Sequence, residues 1–337
     1  MDNKSINSDR LPRVKKVILR LPGVIGIAVG GLALTAVCTS CSSSESNSSS
    51  LNATWVQSIG AYGVGPGQFA SPLSVAANSK TVVITDEPTS RVQTFSPTGT
   101  FAKRWGDFGT GPGLMWVPQG VAVSEVGDFY VADVYNSRIQ IFDPSGKLKK
   151  MIGTKGSGPD NLLYPTGVAV TGEGVMYVTD SGNHRVQKIS ANGQIDSSFA
   201  AAQASAGFDF PHGIALGSGG DIWVTDSVKP RVYQLSSTGE VKSQFGERGE
   251  GPGQIRSPQG IAVDSGGHVY VSDTANECMS VFDSQGSLLG AWNGQGAQAQ
   301  HAFKAPSGLS LVQSGSDVRL YVADTGNSAI DVLEVKW

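Results

Sequence analysis

Between residues 120 and 153 the chain alternates short apolar runs with polar breaks. Gly120–Val123 (GVAV), Tyr130–Asp133 (YVAD), Arg138–Phe142 (RIQIF) and Lys147–Gly153 (KLKKMIG) are rich in β-branched and aromatic residues, with Gly, Asp, Asn and Ser between them. Runs of this length predict four strands of one small antiparallel sheet. The pattern recurs along the chain. A leading proline returns at Pro72, Pro118, Pro165, Pro211, Pro258 and Pro306, and an aspartate closing the second run at Asp86, Asp133, Asp180, Asp226, Asp273 and Asp324. The two registers agree on six units. A four-stranded sheet that is apolar on both faces is not stable alone, whereas six such sheets around an axis bury those faces in one another. The expected fold is all-β, a six-bladed β-propeller.

Closure tests this reading. The sixth unit ends at AIDVLEVKW (329–337), which matches a third strand, and the missing fourth strand has its counterpart in WVQSIG (55–60). The N-terminal strand is expected to complete the last blade and remove the open edge. This makes 54–337 one domain.

The repeat G-x-G-Q-F-x-x-P-x-G-V-A-V…V-Y-V-[AS]-D-x-x-N-x-R-[IV]-Q-x-F resembles the NHL-repeat family. Gly65–Phe69 (GPGQF), Pro118–Val123 (PQGVAV) and Asp133–Phe142 (DVYNSRIQIF) carry the likeness. The resemblance implies a six-bladed propeller. It leaves function open, because family members include RNA-binding modules, sensor domains, amidating lyases and exported proteins.

The N-terminus follows another plan. Six basic residues stand among the first 20, followed by the uncharged stretch Leu21–Val37, then Cys38, Cys41 and a serine run. This is the layout of an export signal. It resembles a bacterial lipoprotein signal, which implies lipidation at Cys41, a signal segment 1–41 and a Ser-rich tether 42–53; an uncleaved signal anchor is the other reading. Either form places the body outside the cytoplasm, attached to the membrane through the lipid or anchor. Of the net charge of −3, residues 1–41 carry +4, leaving −7 on the remainder. In a chain with 16% charged residues, an acidic body offers no footprint for nucleic acid. A monomer is expected.

Candidate chemistry lies at positions fixed by the repeat. Asp86/Arg91, Asp133/Arg138, Asp180/Arg185 and Asp226/Arg231 face each other across the second and third strands and read as architectural ion pairs, each worth roughly 0.2–1 kcal/mol. Units five and six have Cys278 and Ala329 in place of the arginine. Asp273 and Asp324 are therefore either an acidic spot for a cation or amine, or caps of their own turns. The residue after each leading proline is expected at the channel mouth, and these are Leu73, Gln119, Thr166, His212, Gln259 and Ser307. Tyr135, Asn136, Asn183, Asn276 and Asn327 adjoin them on loops. Trp116, Tyr164 and Phe210 precede them and serve either as flat walls or as packing between blades.

Together these residues suit a glycan, a peptide or another small or protein ligand, bound without catalysis and without a cofactor. The alternative is a metal-dependent lyase or hydrolase using His212, since the Pro211-His212 pair resembles a motif of amidating lyases whose histidines converge on zinc. Only one such pair is present. His184, His268 and His301 do not fall at the matching positions, so no metal site is expected. No G-x-S-x-G, H-E-x-x-H or P-loop motif occurs.

Overall fold

In the computed structural model, residues 52–294 and 301–337 are described. The expected signal segment, Cys41 and all but the last two residues of the tether lie outside them. The remainder forms six four-stranded antiparallel sheets. The first blade comprises Pro72–Ala77, Val82–Asp86, Arg91–Phe95 and Phe101–Trp105, and the same order repeats through the fifth, which ends at Leu288–Trp292. The sixth has Pro306–Ser314, Asp317–Asp324 and Ala329–Lys336, with Asn52–Ile59 paired on its outer edge from Asn52↔Lys336 to Ile59↔Ile330. That strand begins two residues before the expected domain boundary.

Burial follows the radial position of each strand. The second strands of the first five blades, such as Val82–Asp86 and Phe129–Asp133, are buried at every residue, whereas the outer strand Phe101–Trp105 is only partly covered. Six apolar clusters each join two neighbouring blades. One unites Ile59, Tyr321 and Ile330 with Phe69, Val75 and Ile84, sealing the last blade to the first. Trp105 packs on Phe129 and Phe142 of the next blade, as expected for an outer-strand aromatic.

The inner strands meet backbone to backbone. A β-carbon added to Gly213 would lie 2.1 Å from the Gln259 carbonyl oxygen, and one on Gly120 would lie 2.4 Å from that of Thr166. Gly167, Gly260 and Gly308 are equally confined. Hydroxyls of the second strands stitch this collar. Thr225 Oγ1 accepts from Gly213 N (2.8 Å) and donates to Gln259 O (3.0 Å), and Thr179 repeats the arrangement with Gly167 N and His212 O.

The third blade departs from the pattern. Its outer strand is only Ile195–Asp196, and the chain then turns into the helix Ser197–Ala202, N-capped by the Asp196 carboxylate. Gln203 replaces the lost pairing: its amide accepts from Val186 N (2.8 Å) and donates to Val186 O (2.9 Å), while Phe199 plugs the core. The segment SSFAAAQ lacks the β-branched residues that favour a strand.

Candidate functional site

The aspartate ending each second strand anchors the loop that enters the blade. Asp133 accepts hydrogen bonds from Trp116 N (2.7 Å), Asn136 Nδ2, Gln140 Nε2 and Arg138 Nε (2.8 Å). The arginine continues to the carbonyls of Gly111 and Leu114. Asp86/Arg91 and Asp180/Arg185 repeat the pair. These aspartate side chains are fully buried and their arginine side chains 6–18% exposed, so the architectural pairs lie in the scaffold. Burial raises the carboxyl pKa of Asp133 and Asp180, outweighing their hydrogen bonds and arginines.

The fourth expected pair does not form. Arg231 lies opposite Asp226 in register but its side chain is exposed. Asp226 instead accepts from the backbone N–H groups of Asp209, Phe210, Val228 and Lys229. Asp273 likewise caps Arg256 N, Ser257 N and Asn276. Asp324 accepts from Lys304 N (2.8 Å) and Asn327 Nδ2, but also faces His301 and a second acid, Asp331. Burial pushes its pKa up to about 7, and the Asp331 charge adds to the rise.

The axial channel is lined by Leu73, Gln119, Thr166, His212 and Gln259, with the collar glycines between them. It encloses about 70 Å³. Ligand pockets typically hold roughly 300–1,000 Å³, so the channel suits waters and any larger ligand must sit at its mouth. Thr166 and Ser307 are buried and engaged in the scaffold: Thr166 Oγ1 meets Ser181 Oγ at 2.6 Å, and Ser307 Oγ donates to Leu73 O at 2.7 Å. Gln119 Oε1 is buried and accepts no hydrogen bond among the described residues.

His212 Nδ1 lies 3.3 Å from Gln259 O, and desolvation lowers its pKa to about 4. The imidazole is neutral in the folded protein at pH 5–8, while an unfolded histidine protonates below ~6.5. The unfolded chain therefore binds the extra proton between those values, and acid costs stability as pH falls from 6.5 towards 4. Relative to His212→Gln, the native protein should lose up to about 3 kcal/mol across that window, read by urea melts at several pH values. Parallel curves for the two proteins would refute the shift.

The four asparagines sit on the loops expected and are engaged in the scaffold. Asn136, Asn183, Asn276 and Asn327 donate to their own blade's aspartate and to the carbonyls of Gly109, Gly156, Gly249 and Ala302 respectively. They fasten the loops between blades and do not line the channel. Tyr135, by contrast, is the centre of an aromatic row. Phe108, Trp116, Tyr135 and Tyr164 follow one another at centroid separations of 5.7, 5.3 and 5.6 Å. Phe108 is 65% and Trp116 42% exposed. Phe210 stands 6.4 Å from the His212 ring.

The row sits at the blade ends where the inner strands begin, beside the channel mouth. Its backbone is held in an uncommon form, because Val117 and Tyr164, each preceding a proline, have φ of 60° and 50°. Such positions cost energy and persist where the surroundings enforce them. Sequence reasoning missed Glu87, which follows Asp86 where Val134, Ser181, Ser227, Thr274 and Thr325 follow the other aspartates. Burial raises its pKa, and its charge acts on Tyr135. It is the only acid in that ring of positions, a departure visible in the aligned repeats.

The NHL repeat family matches residues 115–142, 162–189, 208–231 and 256–282. No curated protein matches the chain. Among solved structures, a Bacteroides thetaiotaomicron protein of unknown function superposes with a TM-score of 0.62 at 18% identity, over 85% of this chain and 76% of its own. A gluconolactonase from Xanthomonas campestris gives 0.58 at 19% identity, over 80% and 87%. A catalytically inactive virginiamycin B lyase from Staphylococcus aureus, solved with quinupristin, gives 0.56 at 14% identity, over 86% and 99%. Likeness at such identities establishes the fold alone.

Proposed function

We propose that this chain, an NHL-repeat six-bladed propeller, is a recognition module whose ligand lies across the channel mouth. The observation that carries this reading is the partly exposed aromatic row Phe108–Trp116–Tyr135–Tyr164 beside the polar Gln119, His212 and Gln259. Aromatic faces offer apolar area with little side-chain entropy to lose, and the amides and neutral imidazole add directional hydrogen bonds. The unmatched Gln119 Oε1 requires a donor. Such a surface suits a sugar, a peptide or a cell-wall fragment of low charge. The N-terminal 41 residues are proposed to export the chain, with lipid on Cys41 holding it at the outer side of a membrane.

Glycan and peptide arrays probed with the full chain test this. Trp116→Ala with Tyr135→Ala should weaken the selected ligand at least tenfold, equivalent to ~1.4 kcal/mol, as should the Gln119/His212/Gln259 triple-alanine variant. Equal binding by all three proteins would reject the site. A second reading, a metal-dependent lyase or hydrolase centred on His212, draws support from the neutral imidazole in the channel, whose free nitrogen can accept a metal or a proton. Metal stoichiometry that falls with His212→Ala would favour it.

A further inference from the structure

The sixth blade changes its charge at one place. In the first three blades the third strand carries an arginine for the buried aspartate and, two residues on, a glutamine: Gln93, Gln140 and Gln187. Each amide donates to a carbonyl of the loop entering the blade, such as Gln68 O or Leu114 O at 2.7 Å. The fourth and fifth blades have Tyr233 and Ser280 there. Only the sixth has an acid. With Ala329 and Asp331 it replaces a cation and a neutral amide by a methyl and a second carboxylate, and the Asp324 and Asp331 side chains are 0% and 3% exposed.

Two buried carboxylates without a fixed cation are costly. Among the described residues no lysine or arginine pairs with either one. What enters the space is His301, whose Nε2 lies 3.2 Å from Asp324 Oδ2 and 3.1 Å from Asp331 Oδ2. All three atoms lie within 4.8 Å of one another. Bonds of about 2.0 Å to a tetrahedral ion separate its ligands by roughly 3.3 Å, close to both histidine–carboxylate distances. The His301 side chain is 30% exposed, which gives an entry path and room for a water as fourth ligand. Outer partners orient the carboxylates: Ser58 Oγ donates to Asp331 Oδ1, and Lys304 N to Asp324 Oδ1.

We propose that His301, Asp324 and Asp331 form a site for one divalent first-row metal ion of the Zn²⁺ type, set at the seam where the closing strand joins the last blade. One nitrogen and two carboxylate oxygens make a donor set suited to zinc and its neighbours. The ion links the loop bearing His301 to the second and third strands and, through Ser58, braces the strand Asn52–Ile59. This site is separate from the channel and from His212.

The test uses the untagged full chain, stripped with chelator, dialysed, and titrated calorimetrically with Zn²⁺ while its melting temperature is followed. The expected result is one equivalent bound and a melting temperature raised by about 5 °C at a hundredfold excess over Kd. His301→Gln and Asp331→Asn should each weaken binding at least tenfold and remove the rise. Ala329→Arg returns the arginine of the first three blades, so it should stay folded and also lose the metal. His212→Ala should keep it. Absence of Zn²⁺ binding by the native chain, or binding unchanged in both His301→Gln and Ala329→Arg, overturns the proposal, as does loss of the metal in His212→Ala alone.

Discussion

Replacing Asp133 by alanine lowers the unfolding free energy by about 3–5 kcal/mol, the usual cost of removing one member of a buried ion pair. The cost arises from what remains. Arg138 is 11% exposed and would face no carboxylate, and the Trp116 N–H, Asn136 and Gln140 would lose their shared acceptor. The charge at issue is one that burial already disfavours, so the pair is poorly replaced by water. Urea denaturation gives the magnitude. Because Asp133 holds the backbone of Trp116, tryptophan fluorescence should change in the native baseline as well. Arg231→Ala provides the contrast: its side chain is exposed and unpaired with Asp226, so the loss should stay within about 0.5 kcal/mol. Equal effects from the two substitutions would contradict this account.

A methyl group at Gly213 is expected to cost on the order of 3 kcal/mol, the upper end of the overpacking range. The β-carbon would stand 2.1 Å from Gln259 O and 2.9 Å from Thr225 Oγ1. The first of these is backbone of the neighbouring blade, so relief requires two blades to separate and breaks the Thr225 bridge between them. Gly219, where an added β-carbon would meet nothing within 4 Å, should accept alanine with little change. Thermal melts of the two variants make the comparison. A Gly213→Ala protein as stable as the Gly219→Ala one would show that the inner strands have slack.

The number of blades, the order of strands and the closing strand are all legible in the sequence because the leading prolines, spaced 46 to 48 residues apart, report backbone position directly. Side-chain direction is less accessible. Arg231 sits in register with its aspartate, yet the turn before Pro230 offers Asp226 the backbone N–H groups of Val228 and Lys229 instead. The asparagines suggest ligand contacts when each is taken alone, although Asn136, Asn183, Asn276 and Asn327 share one register. The repetition that makes the aspartates architectural applies equally to them.

The informative residues are those where one copy departs from the rest. His212 and the aromatics stand out that way, and Glu87 and Asp331 are equally visible. His301 is not, since its role depends on a loop brought over Asp324 and Asp331 by packing. The short outer strand of the third blade is hidden for a related reason. Asp196 caps the helix that replaces it and Gln203 rebuilds its pairing with Val186 from a side chain, which no strand pattern announces.

The direction of the closing strand has an orientational meaning. Ile59 pairs near the end of the blade that carries the aromatic row, whereas Asn52 pairs with Lys336 at the opposite end. Asn52 thus lies on the face of the sixth blade opposite the one where its inner strand begins, and Ile59 lies towards that inner-strand start.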